Sequence, residues 1–165
     1  MRDQVGERAG AAVELCRELG LRSKEASLLD ARGALAEASA RGTVTITEGS
    51  KGGREREVPI TNQGQREALD RAAQAQGDAR AVMPPDQNWK TWREGELRDA
   101  RELVQEHTGG GLHDLRAAHA CERYEQLTGH AAPCAGGEIA DKARDEAARL
   151  AVAEELGHGR AEVVA

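Results

Sequence analysis

Residues 43–60 read TVTITEGSKGGREREVPI, and this stretch decides the fold class of the chain. Thr43 to Thr47 alternate with β-branched side chains, Gly49 to Gly53 supply turn chemistry, and Arg54 to Ile60 resume the alternation with Val58 and Ile60 apolar. The pattern predicts two short antiparallel strands joined by a glycine-flanked turn. It is the only convincing hairpin in the sequence, because the segments on either side repeat at helical spacing. The expected fold class is therefore mostly α with a small antiparallel β-hairpin.

Upstream, Val5, Ala9, Ala12, Val13, Cys16 and Leu19 recur on one helical face between Asp3 and Leu19, and Gly20 follows as a stop. A second helix is predicted to begin at Ser23, and a third over Ala31 to Ala40, although Gly33 weakens its continuity. Downstream, Thr61 reads as an N-cap for a helix over Asn62 to Gln76. A loop at Pro84-Pro85 precedes one helix from about Lys90 to His107, which Gly109 to Gly111 break. Helices are further expected over His113 to Leu127 and Asp141 to Leu156, with a loop at Gly129 to Gly137 and the start of a short helix at Gly159 to Ala165. No internal repeat or linker divides the chain, so residues 1–165 read as a single domain.

A domain of this size buries roughly 70% of the surface that its unfolded chain exposes. With Trp89, Trp92 and Tyr124 as its only aromatics, its core must be built from Leu, Val, Ile and much Ala. Apolar runs fall far short of the roughly 20 residues that span a bilayer, which predicts a soluble, cytoplasmic protein with no membrane partner. Three cysteines, Cys16, Cys121 and Cys134, are odd in number and lack a short repeated spacing, which points to reduced thiols. The formal charge of −6 argues against nucleic acid, whose affinity comes from Lys and Arg neutralising phosphates. The acids nevertheless cluster over Glu94 to Glu106 and Asp141 to Glu155, leaving room for a local basic site.

Four separated motifs then stand in order. The first is Gly20-Leu21-Arg22-Ser23-Lys24-Glu25-Ala26, an arginine at a helix start with an acid three residues on. The second is Gly49-Ser50-Lys51-Gly52-Gly53-Arg54 at the hairpin turn, the third is Leu112-His113-Asp114-Leu115-Arg116, and the fourth is Glu155-Leu156-Gly157-His158-Gly159. Each alone is weak. Together, in this order and over nearly the whole chain, they resemble the first arginine box, the mobile lysine loop, the H-x-x-R box and the L-G-H box of the tyrosine recombinases of the phage-integrase family.

That resemblance implies a catalytic core that cleaves and rejoins DNA through a 3′-phosphotyrosyl intermediate, with Arg22, Lys51, His113, Arg116 and His158 as its pocket and without metal or other cofactor. The chemistry suits those residue types. Strand transfer loads negative charge onto the non-bridging phosphate oxygens, which planar guanidinium groups such as Arg22 and Arg116 match bidentately. Lys51 suits the general acid that protonates the leaving 5′-oxygen, and His113 the base for the nucleophile. His158 suits a hydrogen bond to the phosphate. Arg54 and Arg56, in the strand after the lysine turn, are expected to contact the phosphate backbone.

In the family the attacking tyrosine follows the L-G-H histidine by about nine residues, a position two residues past Ala165. The expectation is thus a core without its nucleophile, inactive alone, with neither an N-terminal core-binding domain nor a C-terminal tyrosine segment. Active relatives work as tetramers on double-stranded DNA, in the nucleoid, whereas this chain is expected to be a monomer. Tyr124 reads as a core or interface residue. A non-catalytic remnant that binds DNA or protein is the alternative. His119, Cys121, His130 and Cys134 fit no common zinc spacing, and Trp89 and Trp92 suit packing better than base stacking.

Overall fold

The computed structural model of the chain describes residues 6–50, 54–129 and 142–156. It is mostly helical, with one two-stranded antiparallel sheet. The elements are α1 (Glu7–Leu19), α2 (Ser23–Leu28), α3 (Ala31–Arg41), β1 (Thr43–Ile46), β2 (Arg56–Pro59), α4 (Gln63–Gln76), α5 (Trp89–Glu94), α6 (Glu96–Thr108), α7 (Leu112–Thr128) and α8 (Lys142–Glu155). Lys51, His130, Cys134 and His158 lie outside the described residues, as does the expected helix start at Gly159.

The strands pair where the alternation placed them, with Val44 opposite Val58 and Ile46 opposite Arg56. Val44, Ile46 and Val58 are fully buried, so one face of the hairpin is sealed against the helices. Gly20 ends α1 in a left-handed conformation with φ 70°, where L side chains are strained. Continuity through Gly33 has a local cause: its N–H, in the first turn of α3, is accepted by the Asp30 carboxylate at 3.2 Å. The cap of α4 is Asn62 rather than Thr61, since the Asn62 side chain accepts from the Gln65 N–H at 3.0 Å.

The expected helix over Lys90 to His107 is two helices, broken at Gly95. The break resets the phase. Trp92 lies five residues before Leu97, about 140° round an uninterrupted helix, so one straight helix cannot bury it together with the stripe of Leu97, Ala100 and Val104. With the break all four are fully buried. Trp92 also donates its indole N–H to Ser27 Oγ at 2.8 Å, which satisfies a polar group inside the core.

α1 packs against α4, α7, α2 and α6, and Ala9, Ala11, Ala12, Ala68, Ala72 and Ala100 are buried. Such small side chains let helix axes approach closely. A second cluster, Ala120, Tyr124, Ala148, Val152 and Leu156, joins α7 to α8. Tyr124 is a core residue: it is 2% exposed and donates its hydroxyl to Asp145. Cys16 is free and buried, which pushes its thiol up to about 12. Cys121 is disulfide-bonded, a departure from the expected reduced thiols, because sequence spacing says nothing of how closely thiols approach in space. Among the described residues no helix is long and apolar enough to cross a membrane.

Candidate functional site

Arg22 stands in extended conformation just before α2, and its backbone N–H donates to Glu25 Oε1 at 2.8 Å. The acid three residues on therefore braces the backbone at the start of α2. The Arg22 guanidinium lies 3.8 Å from Glu25 Oε2 and keeps 24% of its side chain exposed. Glu25 is itself fully buried. Its main partner comes from β2, where Arg56 donates to both carboxylate oxygens, the Nη2 contact at 2.9 Å.

Arg116, in α7, is also buried and donates from Nε to the Gly20 carbonyl at 2.7 Å and from Nη2 to the Leu156 carbonyl. Arg56 donates from Nε to the Glu155 carbonyl at 2.7 Å. The carbonyls at the end of α8, which no helical N–H can satisfy, are thus capped by two arginines. This holds the start of the L-G-H box beside the segment that leads into Arg22. Gly20 permits the closeness, because a Cβ there would lie 2.5 Å from the His119 ring and 2.7 Å from a Leu156 methyl.

The first residues of the lysine motif reach the same place. Gly49, with φ 77°, sits so close to the start of α2 that a Cβ would lie 3.0 Å from the backbone of Lys24 and of Glu25. Segments from all four motifs therefore converge within the described residues, although Lys51 and His158 themselves are not among them. Arg22 and Arg56 pair with one buried carboxylate, and Arg116 lies near enough to be influenced by the charges of all three. Burial first, then the charges of Arg22 and Arg56, bring the Arg116 guanidinium down to about 10. It remains cationic at neutral pH.

The remaining site residues fall elsewhere. His113 is exposed on the first turn of α7 and lines a cleft of about 620 Å³ together with Ser23, the neighbour of Arg22. Arg116 is three residues further on and turns inward to Gly20, whereas His113 stays exposed. Arg54 is exposed, whereas the Arg56 side chain is 5% exposed and committed to Glu25 and Glu155, which leaves it placed as a brace. Sequence reasoning missed that brace. The signal was the strand alternation itself, which sets Arg56 on the same inward face as Val58.

His119 is buried against Gly20, and desolvation lowers its imidazole to about 4, so it is neutral at physiological pH. Among the described residues no group of three or more His, Cys, Asp or Glu is arranged to hold a metal ion.

The family described as Integrase matches residues 1–122, well over half of the chain. The chain belongs to the integrase family, which carries out site-specific recombination and whose partner is DNA. No curated protein matches it closely enough to add a relative.

Proposed function

We propose that this chain is the phosphate-binding core of a tyrosine-type recombinase, in which DNA strands are cleaved and rejoined through a 3′-phosphotyrosyl intermediate. The observation that carries the reading is the pairing of Arg22 and Arg56 with the buried Glu25, with Arg116 electrostatically coupled to them, where described segments of the four motifs converge. Arg22, the most exposed of the three, takes the scissile phosphate, and Arg116 adds charge while holding the L-G-H segment in place. Lys51 acts as general acid, His113 as base and His158 as hydrogen-bond donor to the phosphate. Arg54 contacts the backbone and Arg56 braces Glu25.

The nucleophile is not Tyr124, whose hydroxyl is buried and bonded to Asp145. As this is the chain's single tyrosine, the phosphotyrosyl bond requires a tyrosine from beyond these 165 residues, and the chain alone forms no covalent adduct.

The test is a nicked suicide substrate, incubated with the chain and with a version carrying a short C-terminal segment with tyrosine at its second added position. Covalent protein–DNA product from the extended form only, lost with Arg22→Ala, is the expected result. Adduct from the chain itself would overturn the assignment of the nucleophile. DNA binding without adduct from the extended form would select the non-catalytic remnant, a reading that the net charge of −6 favours.

A further inference from the structure

We propose that the cleft between α6 and the first turn of α7 is a track for the DNA sugar–phosphate backbone leading into the site, with Arg98 and Arg101 as its principal contacts. The proposal rests on the recombinase reading and adds a surface to it.

The cleft, of about 620 Å³, is lined by Arg93 from α5, by Arg98 and Arg101 from α6, and by Ser23 and His113. Ser23 follows Arg22 directly, so the cleft opens beside the arginine assigned to the scissile phosphate. Its three arginines face two glutamates, Glu94 and Glu102. A cavity of about 500 Å³ beside α3 and β1 has the opposite balance, with Glu25, Asp30, Glu37 and Glu48 against Arg80. The cavity between the hairpin and α8 also has acids in excess, and that beside Arg32 is balanced by Asp78. Arg93 pairs with Glu94 at 3.6 Å and Arg98 with Glu102 at 3.1 Å, so the lining keeps one cation in excess, Arg101, within an otherwise acidic stretch of surface.

The helix geometry fits a backbone contact. Leu97, Ala100 and Val104 bury one face of α6, which leaves Arg98 and Arg101 exposed one turn apart, about 4.5 Å in axial rise. Side chains three apart on a helix start only about 5–6 Å from one another, so both guanidinium groups can reach one stretch of sugar–phosphate backbone. Arg101 has no ion-pair partner among the described residues. Arg98 pairs only with Glu102, at 3.1 Å and with both side chains more than half exposed, a contact that a phosphate can replace. Such contacts position the duplex without reading its sequence.

The experiment measures binding of the chain to fluorescent duplex DNA of two unrelated sequences across a salt series, by anisotropy, for the parent, Arg98→Ala/Arg101→Ala, and Arg32→Ala from the balanced cavity. The double variant should bind both sequences roughly ten-fold or more weakly at about 0.1 M salt and lower the salt slope by about 2, with Arg32→Ala unchanged. A steep parental slope that the double variant leaves intact overturns the track and leaves the recombinase reading standing. Equal losses with Arg32→Ala overturn it too, by reducing the effect to overall charge. A flat parental response overturns both readings. Circular dichroism of each variant separates lost binding from lost fold.

Discussion

Arg56 and Arg116 on one side, and Arg98 and Arg101 on the other, are the same residue type in opposite circumstances. The first pair is buried, with hydrogen bonds to Glu25 and to the carbonyls of Gly20, Glu155 and Leu156 that leave little freedom. The second pair stands in solvent on one face of α6. Burial converts a guanidinium into a structural clamp, since a desolvated charge must be paired and hydrogen-bonded. Exposure leaves it a mobile point of attraction with little bearing on stability. The same residue type thus builds the site in one region and stands in solvent in the other.

The largest effect expected from that contrast is on the buried side. Glu25→Ala leaves the Arg56 guanidinium buried without its carboxylate and should cost about 3–5 kcal/mol in urea unfolding. A loss below about 1 kcal/mol would erase the distinction between clamp and surface arginine. Gly20→Ala comes next. It forces a left-handed residue to carry a Cβ against His119 and Leu156, and a loss of about 2–4 kcal/mol follows from strain and overpacking together, read as a lowered Tm.

His119 sharpens the contrast through pH. Burial lowers its folded-state pKa from 6.5 to about 4, so between those values the unfolded chain holds a proton at this position that the folded chain lacks. Stability is therefore full above about 6.5 and lost as the pH falls, by up to about 2 kcal/mol at pH 5. His119→Gln should flatten this part of the stability profile, and an unchanged slope would assign it to other groups. The smallest effect belongs to the exposed pair: Arg98→Ala and Arg101→Ala should each shift stability by no more than about 0.5 kcal/mol. A larger shift would show that α6 depends on them structurally.

Much of the architecture was legible before any tertiary contact was known. Glycine stops, β-branched alternation and the apolar stripe of α1 are local signals, and the hairpin and most helices follow them. Gly95 was harder, because a lone glycine in a polar helical stretch reads as tolerated. Its break became necessary only once Trp92 and Leu97 had to enter the same core. Of the site, Arg22 and Glu25 were readable as a helix-start pair because they lie three residues apart. The Arg56 contact to Glu25 spans 31 positions, and the Arg116 contact to Gly20 spans 96, distances over which no local rule operates.

What the sequence determined by itself is the inventory: a helical chain with one hairpin, most of its helix ends and four motif segments, because these depend on periodicity, capping and turn chemistry within a few residues. Only the tertiary structure decided which arginines became clamps and which stayed in solvent. Pairing in β2 turned Arg56 inward, and the packing of α7 and α8 enclosed Arg116. Burial, a property of the whole fold, then sets whether a charge holds the chain together or remains available to a partner.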